Sequence, residues 1–259
     1  MPPDDSPAHD PERYGRSFAD VYDEWYQEMP TEPLVSFLGR RVAAGAEVLE
    51  LGVGTGRVAL ALSAAGFAVT GLDSSADMLA QLATKPGADA VATITGDAAD
   101  PSVYPRAAFD AVVAVYNLIF NLTSPGAQER CLAGVASTLR AGGLLVLEAF
   151  VPAGITERRR DLVTRSVEPG RVVLIATDTD PTTQVVTGNH IEITDAGTRL
   201  RPWTIRVSTP QELDAMAAAA GMELVERLED WTGTPFVAGE SAHHVSVYRV
   251  VGGGAGGRD

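Results

Sequence analysis

The chain of 259 residues suits one α/β domain carrying an elaboration, or two small domains, and its 45% apolar content is enough for a large core. Its formal net charge of −14, from 34 acids against 20 bases, argues against a nucleic-acid partner, because phosphate contacts need a basic face. No apolar run approaches the ~18 to 20 residues of a membrane span, no secretory signal is visible, and the single Cys131 cannot form an internal disulfide, so a cytoplasmic protein without membrane association is expected.

Residues 1–12, "MPPDDSPAHDPE", have almost nothing to bury and are expected to be disordered. A helical N-terminal segment, 13–40, follows. Short apolar runs then alternate with helical patterns. "EVLELG" (47–52), "AVTGLD" (68–73), "AVATITGD" (90–97), "FDAVVAVY" (109–116) and "GLLVLEAF" (143–150) read as buried strands, with helices at 55–65, 75–84 and 125–140. Strands alternating with helices of this length mean βαβ units, a parallel sheet and ligands at the carboxyl ends of its strands. Cys131, inside the last of these helices, reads as a small buried hydrophobe.

After Phe150 the rhythm changes. "RVVLIATDTD", "TQVVTGNHIEIT" and "TRLRPWTIRVST" alternate apolar and polar residues, with turn formers at Asp180-Pro181, Gly188-Asn189 and Asp195-Ala196-Gly197. This pattern predicts an antiparallel insert over 151–209. The insert carries 8 Arg against 7 acids, so it is the relatively basic part of an acidic chain. A helix then opens at Thr209 as N-cap, with Glu212 three residues on and Gly221 as its stop. Two strands, "MELVERLED" and "HHVSVYRVV", complete 210–251, and "GGGAGGRD" (252–259) reads as a flexible end.

The chemistry concentrates in Glu47 to Leu62, "EVLELGVGTGRVALAL". A glycine loop between a strand and a helix lets backbone N–H groups approach a ligand at the positive helix end. The dinucleotide fingerprint is G-x-G-x-x-G. Here Gly52, Gly54 and Gly56 give G-x-G-x-G, and Glu50 stands where a pyrophosphate would be repelled. A ligand bearing a cation and an amino-acid end would be welcomed instead.

"VLELGVGTG", "LDSSADML" and "GDAAD" together resemble the class I S-adenosylmethionine (SAM) dependent methyltransferases over residues 14 to 150. The resemblance implies a doubly wound, seven-stranded Rossmann-like α/β sheet with the antiparallel insert after its fifth strand. It implies that Glu50, Gly52, Gly54 and Gly56 hold the methionine part of SAM and that Asp73, with Ser74 beside it, grips the ribose hydroxyls. Met78 would pack the adenine, Asp97 with Ala98 would take its amino group, and Val115 and Tyr116 would border the sulfonium. Asp73 alone also reads as a helix cap, and Asp97 alone as a turn acid. The product would be S-adenosylhomocysteine, and no metal ligand set is expected.

Methyl transfer from a sulfonium is an in-line displacement, accelerated by holding acceptor and methyl close and dry. The Asn/Asp-Pro-Pro-aromatic signature of enzymes that methylate amide or nucleobase nitrogens is absent from "VYNLIFNL" (115–122). "RYGRSFADVYDEWY" (13–26) resembles the lid of nucleotide-linked amino-sugar N,N-dimethyltransferases, which implies that Tyr14 touches SAM or the acceptor and that Tyr22 and Tyr26 lie on the lid. Those enzymes tend to have a His where this chain has Asn121, which can orient an acceptor but cannot take its proton. His190, His243 and His244 are the other candidate bases, each also readable as structural; His190 alternates with Ile191 and Ile193 and so points away from the apolar face of its strand. Trp25, Trp203 and Trp231 read as acceptor-pocket walls or as core. "ERRRD" (157–161), Arg199, Arg201 and Arg206 read as receivers of an anionic acceptor or as a solvated face. The expected function is methylation of a nitrogen or oxygen on a small molecule of secondary metabolism, one candidate being a nucleotide-linked amino sugar. A polyketide or aromatic acceptor, methylated at oxygen or carbon, and SAM binding without transfer stand as alternatives, and a homodimer is compatible with either.

Overall fold

The computed structural model describes residues 12–26, 29–152 and 154–251, so the expectations for 1–11 and 252–259 lie outside the described residues. Strands β1 (Glu47–Leu51), β2 (Ala68–Asp73), β3 (Val91–Thr95), β4 (Phe109–Ala114) and β5 (Leu139–Phe150) pair in parallel. The last four residues of β1 are buried, as expected of a strand covered on both faces. The antiparallel insert consists of β6 (Arg159–Glu168), β7 (Arg171–Asp180), β8 (Val185–Thr194) and β9 (Gly197–Arg206). Beyond it, β10 (Met222–Leu228) and β11 (His243–Val250) join the main sheet, whose order is β10-β11-β5-β4-β1-β2-β3 with β11 antiparallel to β5 and β10. The order reverses between β1 and β4, so their carboxyl ends open a crevice at that point.

Helices α1 (Arg13–Phe18), α2 (Tyr22–Tyr26), α3 (Glu32–Gly39), α4 (Arg57–Ala64), α5 (Ala76–Ala83), α6 (Ala127–Thr138) and α7 (Pro210–Ala219) are the α-helices of the described residues, and short 3-10 turns lie at Ala88–Ala90, Pro101–Val103 and Leu118–Asn121. The main sheet has a core on each face. Leu34, Phe37 and Leu38 of α3 and Val58, Ala59 and Leu62 of α4 pack against Val48, Val69 and Val113. Cys131, Leu132 and Val135 of α6 and Leu213 and Ala217 of α7 pack against Leu49, Val112 and Leu145. Helix α3 therefore belongs to the core layer, while α1 and α2 lie across the carboxyl end of the sheet, against the insert. Helix α7 begins with the expected capping box: Thr209 accepts from the Glu212 backbone, and the Glu212 carboxylate accepts from Thr209.

The insert departs from its sequence reading in two places. Gly188 and Asn189 are not a turn; they sit inside β8 opposite Trp203 and Pro202, and the Trp203 indole occupies the space a Cβ on Gly188 would need. The chain reverses at the other two expected places, 181–184 beside Asp180-Pro181 and 195–196. The fourth strand, β6, was not visible in the sequence. It is an edge strand with both faces largely exposed, so burial imposed no alternation on its residues.

Candidate active site

The crevice is a cleft of about 850 Å³ counting its open mouth, walled by the glycine loop, the ends of β2, β3 and β4, and α1 and α2. Gly52, Gly54 and Gly56 have φ of 64°, 54° and 87°, left-handed values that a side chain would strain. Their roles differ. Gly52 and Gly54 line the cleft, whereas a Cβ on Gly56 would overlap Leu82 of α5. Gly56 therefore supplies the close packing that the third glycine provides in the dinucleotide fingerprint, one residue ahead of its usual place.

Asp73 closes β2 and lines the cleft. One carboxylate oxygen accepts the Gly54 N–H at 2.7 Å and the other the Ser75 N–H at 2.8 Å. The cap of α5 is Ser75, whose hydroxyl accepts the Met78 N–H, so Asp73 braces the glycine loop rather than capping a helix. The Ser74 backbone also bonds this carboxylate, and the lone pairs left over on the cleft-lining oxygens suit donation from vicinal hydroxyls. Ser74, Met78, Asp97 and Ala98 line the same end, and Asp97 also accepts the Ala99 N–H at 2.8 Å.

Glu50 lies behind the loop, 3% exposed, and its Oε2 has no hydrogen-bond partner. Burial pushes its carboxyl up to about 8, against the pull of the Arg57 guanidinium. A buried carboxylate with an orphaned oxygen calls for a cation. The chemistry of the donors thus matches a ligand carrying an ammonium, a diol and an amino-purine.

At the other end, Val115, Tyr116 and Asn121 follow β4. Tyr116 and Asn117 have φ of 57° and 62°. This strained corner is clamped from β5: the Tyr116 N–H donates to the Glu148 carboxylate at 2.7 Å, and Asn117 Oδ1 accepts the Phe150 N–H at 2.7 Å. The sequence reading missed Glu148, although an acid near the end of the apolar run "GLLVLEAF" is as odd as Glu50 in "EVLELG". Tyr22 stacks at a tilt on Tyr26, with centroids 4.8 Å apart, and Tyr26 meets Tyr116 edge-on at 5.3 Å. Tyr14 stacks on Phe18 at 4.6 Å. Burial raises the phenols of Tyr14 and Tyr22 well above their ordinary range and that of Tyr116 to about 12, so all three stay protonated.

The histidine reading needs correction. His190 is 7% exposed and lies among Phe18, Trp25 and Trp203, because α1 and α2 cover the face of β8 that the local pattern marks as polar. It does not line the cleft, and desolvation drops its imidazole to about 4. His244 is fully buried against Ser246, and Trp231 packs on Phe37 in the core. The insert's arginines also differ from expectation. Arg201, 2% exposed, donates to the Ser17 carbonyl and the Asp20 carboxylate, both at 2.6 Å, and to Glu192 at 3.2 Å. Arg199 pairs with Asp20, Arg171 with Glu24 and Glu192, and Arg206 with Gln128 and Ser208. The basic insert thus holds the acidic N-terminal helices. On the loop side, Asp23 of α2 accepts from Thr55 at 2.6 Å and pairs with Lys85 at 2.7 Å.

A family model described as a methyltransferase domain matches residues 48–143. The chain is 36% identical to the CcbJ methyltransferase from Streptomyces caelestis, with a TM-score of 0.85 over 93% of this chain and 99% of that one. It is 28% identical to the cypemycin N-terminal methyltransferase of a Streptomyces species, across 88% of this chain and 94% of the relative. It is 25% identical to SAM-bound CalS10, an amino pentose methyltransferase from Micromonospora echinaspora, with a TM-score of 0.64 over 89% and 97% of the two chains. Alike in sequence and in fold along nearly its whole length, the chain belongs to the SAM-dependent methyltransferases.

Proposed function

We propose that this enzyme methylates an amine nitrogen of a small molecule of secondary metabolism. The observation that carries the reading is the acceptor end of the cleft. There Tyr14, Tyr22, Tyr116 and Asn121 are the polar side chains among the described residues, and none is poised to take a proton. A hydroxyl or phenol acceptor needs a base as it attacks, whereas an amine that has shed its proton to solvent brings its own lone pair. Tyrosine ring faces also suit a nitrogen that turns cationic as the methyl arrives. The N-terminal target in the name of the cypemycin relative and the amine-bearing pentose in that of CalS10 support the same reading.

In this reading Glu50, Gly52 and Gly54 hold the methionine end of the cofactor, Asp73 and Ser74 the ribose, and Met78, Asp97 and Ala98 the adenine. SAM supplies an electrophilic methyl on a positively charged sulfur. Helices α1 and α2 act as the lid: Tyr14 and Tyr22 shield the reacting end from water, and Val115 and Tyr116 form its floor. Asn121 orients the acceptor. The glutamate clamp on Tyr116 fixes that floor, so the alignment needed for displacement is built before the acceptor arrives. Residues 13–40 divide accordingly into the lid and the core helix α3.

The test is S-adenosylhomocysteine formation over matched panels of amines, alcohols and phenols. Turnover confined to amines, with a rate that rises as pH approaches the amine's own pKa, is the expected result. Turnover on phenols with none on amines would replace this reading with O-methylation.

A further inference from the structure

Of the eight arginines in the insert, seven reach a hydrogen-bonding partner: Arg158 and Arg160 at Asp178, Arg159 at Asp161, and Arg171, Arg199, Arg201 and Arg206 at the groups named above. Among the described residues, Arg165 touches only aromatic rings. Its guanidinium lies 4.7 Å from the Trp25 centroid and 5.3 Å from that of Tyr26, and Tyr26 in turn abuts Tyr116 at the acceptor end of the cleft. Arg171 and Arg201 approach Trp25 as well, at 6.0 and 5.7 Å, but their charges are already met by Glu24, Glu192 and Asp20. Among the described residues, one positive charge in this cluster is therefore uncompensated, on an exposed side chain.

The backbone aims it there. Thr164 pairs with Leu174 and Ser166 with Val173, so Arg165 is the extra residue of a β-bulge in β6. A bulge leaves one residue unpaired and turns its side chain out of the strand's alternation, and such features gather next to active sites. A guanidinium lying against rings keeps its N–H edge free in its own plane, the edge that matches a carboxylate or phosphate oxygen pair.

We infer that Arg165 is a specificity residue: it receives an anionic group of the acceptor, a carboxylate or a phosphoryl, while the amine lies at Tyr116 and Asn121. The inference rests on the amine reading above and narrows it to an acceptor bearing both a basic nitrogen and an oxyanion.

The experiment is calorimetric titration of the full chain, saturated with S-adenosylhomocysteine, with sodium acetate, inorganic phosphate or inorganic pyrophosphate at constant ionic strength. Wild type, Arg165→Gln and Arg165→Lys are compared. Saturable binding to wild type is expected, weakened tenfold or more in Arg165→Gln and partly restored in Arg165→Lys, with S-adenosylhomocysteine affinity within twofold throughout. Acetate as the better ligand points to a carboxylate on the acceptor, and the phosphates to a phosphoryl group. Equal anion binding by wild type and Arg165→Gln, or none by wild type at tens of millimolar, overturns the inference. A lowered melting temperature and weaker S-adenosylhomocysteine binding in Arg165→Gln, with anion binding unchanged, would make Arg165 a brace for Trp25 and overturn it too. Failure of the amine reading would show separately, as anion binding intact while no amine is methylated.

Discussion

Replacing Asp73 with alanine should cost most of the cofactor affinity while leaving a folded protein. The Asp73 oxygens accept backbone N–H groups, Gly54 at 2.7 Å and Ser75 at 2.8 Å with Ser74 beside them, and keep lone pairs for the cleft. A hydrogen bond to a charged group is worth roughly 1.5–3 kcal/mol net, and two are available to a ribose diol. Burial works the other way, raising the Asp73 carboxyl above its ordinary range, so part of the gain is spent on desolvation. The expected loss is therefore about 1.5–3 kcal/mol, or roughly 10- to 150-fold in Kd. Alanine also orphans the Gly54 and Ser75 N–H groups, which should lower the melting temperature by a few degrees. Asp73→Asn keeps one acceptor oxygen but sets its NH2 against either the Gly54 or the Ser75 N–H, so it removes the charge and one backbone bond together. Calorimetric titration with S-adenosylhomocysteine, beside thermal melts, reads all three proteins. Affinity within twofold of wild type in folded Asp73→Ala would refute the assignment of Asp73 to the ribose.

Three other expectations follow from the same geometry. The Glu50 carboxyl ordinarily titrates at 4.5 and in the fold at about 8. The folded protein thus keeps a proton that the unfolded chain has already lost, so ligand-free stability should fall as pH rises through that window, and Glu50→Gln should flatten the fall. A ligand ammonium beside Glu50 draws this proton off. Binding of S-adenosylhomocysteine at neutral pH should release up to about one proton, seen as a buffer-dependent enthalpy; the same enthalpy in phosphate and Tris would defeat the argument. Arg201→Ala breaks a buried pair but leaves Glu192 still held by Arg171 and Asp20 by Arg199, so the loss should fall below the roughly 3–5 kcal/mol of a fully orphaned buried charge. Lid amides in α1 should then exchange hydrogen faster than those of α6, and uniform exchange would show that Arg201 does not hold the lid. Glu148→Ala frees the Tyr116 corner and should lower kcat tenfold or more, with the S-adenosylhomocysteine Kd unchanged; parallel losses in both would place Glu148 in cofactor binding instead.

How much of this was legible beforehand depended on the distance over which each feature is specified. Strands β1 to β5 and the helices between them follow from local apolar patterns, and the cap of α7 from four residues, Thr209 to Glu212. The antiparallel insert was legible where its strands alternate and illegible in β6, where neither face is buried. Gly188-Asn189 looked like a turn because glycine there serves Trp203, a partner 15 positions away that no local rule anticipates.

The sequence by itself determined the parallel sheet, the glycine loop, and the acids placed one per strand end that suit a cationic, diol-bearing ligand. These are short-range matters: a strand, a turn and a helix start lie within a dozen residues, and backbone conformation plus burial constrain each residue type. Tertiary structure alone decided what the insert does. Arg201 meets Asp20 across 181 residues of chain, and His190 is buried by helices of the N-terminal segment. A side chain's fate there is set by which surface folds onto it, and a charge that local spacing marks as solvated becomes, at Arg201, a buried clasp on the N-terminal helices.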